Sequence, residues 1–279
     1  MKRAGALLLL AATRAVAQQA PPPITASQTA FRWTGTLSQG GLMLGTAPAG
    51  TRAVTLDGKP IALSPDGRFL AGFDRDAGAQ ATLVATFPDG RAVTQPLAIA
   101  PRAWRLERLD TLPKFPAPDP VIARLRPPEL AQIAAARARI TDAQGWRQAF
   151  AWPATGRVSG LFGAQRIYKG EPGSYHSGTD IAKPTGAIVT APADGVVILA
   201  ADHPFTLEGN LLMIDHGMGL NSAFLHLSRI DVKVGDHVTK GQPIGAVGIT
   251  GRATGPHLHW SLRWNAAKLD PMLVAGAMP

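Results

Sequence analysis

Two histidines separated by one leucine, His257 and His259 in "GRATGPHLHW", are the residues of this sequence whose type and spacing most directly suggest chemistry. If the segment that follows Pro256 is a strand, alternate side chains share a face. The two imidazoles then project together from backbone positions roughly 6.5–7 Å apart, while Leu258 points into a core. Such a pair can place one ring on a metal ion and the other against the water or substrate bound there. A metal would need at least two further ligands from elsewhere in the chain.

A second stretch, "YHSGTDIAKPTG", sets His176 and Asp180 four apart. In a regular strand this spacing leaves them about 13 Å apart, too far for one ion. Ser177 and Gly178 argue against a helix, so a bend leading into a strand is needed to bring the two side chains to one point. A third candidate, His226, stands at the end of the apolar strand "LNSAFLHLSRI".

The elements that must position these residues are mainly β. Residues 24–110 alternate short apolar stretches with turns, three of them Asp-Gly pairs at Asp57, Asp66 and Asp89, and predict a small β-sandwich that contains no histidine. Residues 111–150 read as a linker followed by a helix. The prolines of residues 113–128 forbid a long regular element there, and "PELAQIAAARARIT" favours a helix after them, with Glu129 in its first turn. Residues 151–279 return to valine- and isoleucine-rich strands with glycine at the turns, and all seven histidines lie in this part.

Composition narrows the chemistry further. The chain has no cysteine, so disulfides and thiolate metal sites are excluded, and any metal must be held by His, Asp or Glu. Residues 1–17 begin with Lys2 and Arg3, continue in an apolar run, and end in a small-residue "AVA", the order of a signal peptide. The run is well short of the ~20 residues needed to span a bilayer, so export to the periplasm or beyond is expected, with no transmembrane segment left after its removal. Losing this leader strips three of the nine excess positive charges. The basic remainder suits an anionic polymer. Its charges are scattered and not interleaved with aromatics, which argues against nucleic acid.

Taken in order, His176-x-x-x-Asp180, His226 in "HLS" and "GRATGPHLHW" resemble the LytM or lysostaphin-type zinc peptidases of family M23. The intervening "APADGVVILA", "GNLLMIDHGMGLNSAFLHLS" and "VKVGDHVTKGQPIGAVGITG" are similar to that family's strands and turns as well. The resemblance implies a mainly β fold with a LytM-type peptidase domain over residues 151–279. It also implies zinc ligated by His176, Asp180 and His259, and catalytic roles for His226 and His257. Three nitrogen and oxygen ligands would leave a fourth position open for water, as in catalytic zinc sites. His216, in "DHG", takes a structural or supporting role, and His203 and His237 are expected in solvent.

The substrate class implied is peptidoglycan, its stem peptides and cross-links, with D-alanyl cross-links favoured over glycyl bridges. The competing expectation is a catalytically silent LytM-like activator of a cell-wall amidase, a role usually accompanied by missing ligands, whereas all five positions are filled here. A lipoyl-type carrier is set aside because "GQPIGAVGITG" offers no lysine for attachment. The histidine-free sandwich is expected to position substrate rather than to block the site.

Overall fold

The computed structural model describes residues 29–112 and 119–279. The expected leader, residues 1–17, and part of the proline-rich segment lie outside the described residues. Among the described residues, no helix is long and apolar enough to cross a membrane.

The first half is a pair of antiparallel sheets. Strands β1 (Arg32–Gly35), β2 (Leu42–Thr46) and β5 (Arg68–Gly72) form one, in the order β1-β2-β5. Strands β3 (Ala53–Leu56), β4 (Lys59–Ile61), β6 (Gln80–Thr86) and β7 (Ala92–Ala98) form the other, in the order β4-β3-β6-β7. Alternating residues of both sheets, among them Met43, Phe69, Val54, Leu83 and Leu97, bury a common core. Asp57 and Gly58 both take positive φ at the β3–β4 turn, as a two-residue hairpin of type I′ requires.

The next strand, β8 (Leu106–Leu109), leaves this sandwich. It pairs in parallel with β10 (Gln165–Tyr168), which also pairs with β11 (Glu171–Pro172).

Helix α1 spans Pro120–Arg137 and therefore begins inside the segment whose prolines were expected to exclude a helix. The physical reason is local. Asp119 caps the first turn, its Oδ1 accepting from the amides of Val121 and Ile122, and Pro120 occupies the first helical position, where its missing N–H costs nothing. Pro127 and Pro128 sit within the helix, and Glu129 lies in its third turn rather than its first. Tertiary contacts hold the helix through them: Ile133 and Ala136 bury against Ile198, Leu211, Met213 and Ala223.

The second half is built on an antiparallel sheet in the order β18-β14-β15-β16-β20-β12-β9. Its strands are β9 (Arg157–Gly160), β12 (Thr179–Ala182), β14 (Gly195–Ala200), β15 (Asn210–Gly217), β16 (Leu220–Leu227), β18 (His237–Val238) and β20 (His257–Trp264), and β21 (Ala267–Leu269) pairs with β20. A three-stranded sheet of β13 (Ile188–Thr190), β19 (Pro243–Ala246) and β17 (Arg229–Ile230) packs on one face, enclosing Val189, Ile244, Leu212, Phe224, Leu258 and Trp260. Helix α1 covers part of the other face. Both faces of β15 are thus covered, which is why "LLMI" is apolar at every position: Leu212 and Ile214 face one core, Leu211 and Met213 the other. A short helix α2 (Pro271–Ala275) follows.

The two halves meet through buried side chains. Leu70 of β5 joins the core of the second half. Arg75, 6% exposed, donates to the Gly163 carbonyl at 3.1 Å and to Gln165 Oε1 at 2.9 Å. Asp74 accepts from the Tyr175 hydroxyl at 3.0 Å and from the Lys268 amide at 2.8 Å.

Candidate metal centre

Strand pairing accounts for most of the site. In β12 and β20, Asp180 lies directly opposite His259 and Ala182 opposite His257, so the carboxylate and both imidazoles stand on one face while Ile181 and Leu258 fill the core on the other. His176 precedes β12, and the chain bends at Gly178 before the strand begins at Thr179. The bend brings His176 back over Asp180. His176 is held there by its own backbone, its amide donating to Ala164 and its carbonyl accepting from the Gly163 amide, both at 2.8 Å.

Three donor atoms converge. His176 Nε2 is 3.0 Å from Asp180 Oδ1 and 3.0 Å from His259 Nδ1, and His259 Nδ1 is 2.9 Å from Asp180 Oδ1. His176 Nδ1 is 3.0 Å from the Leu161 carbonyl, which can only accept, so the ring proton is on Nδ1 and Nε2 presents a lone pair. That lone pair faces the carboxylate oxygen, an arrangement that only a proton or a cation relieves. Bonds of 2.0–2.1 Å to a tetrahedral zinc would set ligand atoms roughly 3.3 Å apart, close to the spacing found. The donor set fits zinc: nitrogen and oxygen only, with the Leu161 carbonyl orienting one ligand from behind.

Charge is consistent with this geometry. Burial by itself would raise the Asp180 carboxyl, but the contacts of His176 and His259 hold it well below the usual carboxylate range. Burial lowers His259. The side chains of His176 and His257 remain 25% and 17% exposed, so the centre is open to solvent on one side.

Two more imidazoles flank the triad without joining it. His257 Nδ1 donates to the Gly255 carbonyl at 2.8 Å, which turns Nε2 inward to 3.8 Å from Asp180 Oδ1. His226 Nδ1 donates to the Thr250 carbonyl at 2.8 Å, and its ring centre lies 4.8 Å from that of His257. Burial pushes His226 down to about 4, so its ring is neutral at ordinary pH.

His226 reaches this face through an irregularity in β16. Phe224 opposes Leu212 and Leu227 opposes Asn210, so three steps on β16 match two on β15, which marks a bulge. Without it His226 would follow Phe224 into the core. His226 itself takes φ of +64°, a left-handed conformation uncommon for a residue with a side chain.

The remaining histidines lie elsewhere. His216 is fully buried, donating from Nδ1 to the Asp194 carbonyl at 2.8 Å and accepting at Nε2 from Ser222 Oγ at 2.7 Å. Ser222 Oγ also accepts from Trp260 Nε1 at 3.3 Å, so His216 braces the strand that carries His257 and His259 from its core side. His203 is exposed beside Asp202, and His237 is exposed at the sheet edge in β18.

Residues 174–271, which include both β12 and β20, match the family profile described as Peptidase family M23. A peptidoglycan DD-endopeptidase of Vibrio cholerae, ShyA, is 44% identical over 107 residues, 38% of this chain and 24% of that protein. A DD-carboxypeptidase/endopeptidase of Neisseria meningitidis, Mpg, is 38% identical over 123 residues, 44% of this chain and 28% of that protein. The chain thus spans about a quarter of the length of these curated relatives. A crystal structure from Pseudomonas aeruginosa, assigned to peptidase M23, is 28% identical and superposes with a TM-score of 0.65, covering 87% of this chain and 96% of the other. That likeness reaches well beyond residues 174–271.

Several residues that build the site carry no motif signal. Gly160, Leu161, Thr250 and Gly255 act through their backbone or their lack of a side chain. Only the glycine-rich texts "VSGLFG" and "GITGRATG" hint at close backbone approach.

Proposed function

We propose that the chain is an exported, zinc-dependent peptidoglycan endopeptidase that hydrolyses peptide cross-links, D-alanyl cross-links in particular. The observation that carries this reading is the convergence of His176 Nε2, Asp180 Oδ1 and His259 Nδ1 within 3.0 Å, with His257 Nε2 3.8 Å from the same carboxylate oxygen and the His226 ring centre 4.8 Å from that of His257. The names of the curated relatives, peptidoglycan DD-endopeptidases and a DD-carboxypeptidase/endopeptidase, support the substrate class. The leader-like first 17 residues and the basic charge suit a protein acting on an anionic wall.

Zinc held by these three residues supplies a Lewis acid and lowers the pKa of a bound water toward ~7. The protein's own groups do the rest. With Nδ1–H committed to Gly255 and Thr250, His257 and His226 each keep Nε2 as a lone-pair nitrogen, that of His257 lying 3.8 Å from Asp180 Oδ1. One accepts the proton of the attacking water and carries it to the departing amine nitrogen; the other, protonated from solvent on the open side of the centre, hydrogen-bonds the developing oxyanion. The amide C–N bond breaks and the water oxygen stays on the new carboxylate. The contacts of His176 and His259 hold the Asp180 carboxyl well below the usual carboxylate range, which keeps it available as an ionised ligand.

The test is digestion of defined, cross-linked muropeptides by the purified protein, with product masses measured. Cleavage at the D-alanyl cross-link, abolished by a chelator and restored by added zinc, is the expected result. Stoichiometric zinc without hydrolysis of any muropeptide, together with stimulation of a separate amidase, would favour the activator role instead.

A further inference from the structure

Helix α1 lies outside residues 174–271, yet it reaches the backbone that aims His226. Arg126 closes on Glu208 with two contacts, Nη1 to Oε2 at 2.5 Å and Nη2 to Oε1 at 2.7 Å. Its Nη1 also donates to Glu129 at 3.2 Å. Glu129 in turn accepts from the Thr206 amide and the Thr206 hydroxyl, both at 2.6 Å. Arg126 and Glu129 thus grip both ends of one tight turn, itself closed by reciprocal backbone bonds between Phe205 and Gly209 at 2.9 Å.

The gripped turn touches His226 in two ways. The Glu208 carbonyl accepts from the His226 amide at 2.8 Å, which anchors the bulge in its left-handed conformation. The turn also props the loop whose Thr250 carbonyl orients the His226 ring: Leu207 O accepts from the Arg252 amide at 3.0 Å, and Thr250 Oγ1 accepts from the Asn210 amide at 2.9 Å. The two backbones are so close that a Cβ on Gly251 would lie 2.3 Å from the Gly209 nitrogen. Displacement of the turn must therefore displace the loop.

We infer that Arg126 and Glu129 are positioning residues for His226, acting through the 206–209 turn to fix the direction of its Nε2. The inference rests on the reading of His226 as catalytic. Nearly buried ion pairs contribute little net stability, because desolvation offsets the attraction, but removing one partner leaves an uncompensated charge, so this network favours the one arrangement in which every partner is met. The side chains here are 7% (Glu129), 15% (Glu208) and 19% (Arg126) exposed. Holding an unfavourable backbone conformation at a catalytic histidine calls for that kind of discrimination.

The test uses the full-length protein with Arg126→Ala, Arg126→Lys and Glu129→Gln. Five quantities are read: zinc content, thermal midpoint, residue-resolved amide hydrogen exchange, and kcat and KM on a cross-linked muropeptide. Arg126→Ala is expected to keep its zinc and to speed exchange of the His226 amide by about tenfold or more, with β15 and β20 core amides unchanged. It should lower kcat by about tenfold with little change in KM, and Arg126→Lys, which keeps the charge but not the two-pronged grip, should recover part of both. If Arg126→Ala does not fold, Arg126→Lys and Glu129→Gln carry the same comparison, with smaller shifts expected at the same amide. Unchanged His226 exchange in a folded variant would overturn the inference, as would a uniform rise in exchange across the sheet. The exchange measurement reads the clamp even if the parent protein cleaves no muropeptide, an outcome that would sink the proposed activity instead.

Discussion

Gly160 of β9 stands opposite Asp180 of β12, and a Cβ at position 160 would lie 2.2 Å from Asp180 Oδ2. The carboxylate therefore occupies the space that a side chain at 160 would need. Gly160→Ala is expected to push Asp180 off the triad and weaken zinc binding, measured by competition with a chromophoric chelator. The thermal midpoint of the metal-free protein should change little, since the contact sits at an open site rather than in the core. Unchanged zinc affinity would mean that the carboxylate rotates away without leaving the ion.

Ligand and flanking histidines should separate experimentally. Alanine at His176, Asp180 or His259 removes one of three donors that meet within 3.0 Å and is expected to lose the metal. Alanine at His226 or His257 leaves the triad intact, so zinc stays while hydrolysis slows by about 10²- to 10⁴-fold, the usual worth of a positioned acid or base. Metal analysis alongside initial rates checks both. Loss of zinc from the His257 variant would make that residue a ligand.

What the sequence disclosed and what it hid follow one physical distinction. Spacing within a strand reads directly, so the shared face of His257 and His259 is legible from the one residue between them. The bend at Gly178 is legible from residues that disfavour a helix. His226 is not legible in the same way, because its direction depends on a bulge set by the partner strand: Phe224 and Leu227 share a core although they are three apart. Helix α1 was misplaced for a related reason. Two internal prolines weigh against a helix locally, and only the cap at Asp119 and the packing of Ile133 and Ala136 outweigh them.

The sandwich is joined to the loop that carries His176, and Arg75 tests that joint. Arg75 binds Gly163 and Gln165, its guanidinium lies over the Tyr175 ring at 4.8 Å, and Tyr175 directly precedes His176. Arg75→Ala strips the nearly buried Gly163 carbonyl of a charged donor and is expected to cost about 2 kcal/mol of stability. Zinc should also dissociate faster, because Gly163 donates to the His176 carbonyl. Denaturant unfolding and the rate of zinc transfer to a chelator measure the two effects. A faster enzyme with unaltered zinc release would show instead that the sandwich restrains the site.

The last prediction concerns acid. His216 is buried without charge, and burial lowers it from 6.5 to about 4. The unfolded chain therefore binds a proton at this residue between about pH 6.5 and 4 while the folded chain does not, so stability contributed here is full above the unfolded value and is lost as pH falls through that window. A shift of this size corresponds to about 3 kcal/mol when the loss is complete. His226 and His259 are also lowered by burial, so the parent's acid sensitivity is a sum over several sites. Comparison with His216→Gln isolates one of them, since glutamine can still meet Ser222 and the Asp194 carbonyl but takes up no proton. Unfolding free energies of the metal-free proteins, measured by urea between pH 4 and 8, should show the parent losing its advantage over the variant as the solution is acidified. A difference that stays flat across this range would mean that His216 accepts its proton inside the folded protein, and that the Ser222–Trp260 bracing beneath the metal centre tolerates a buried imidazolium.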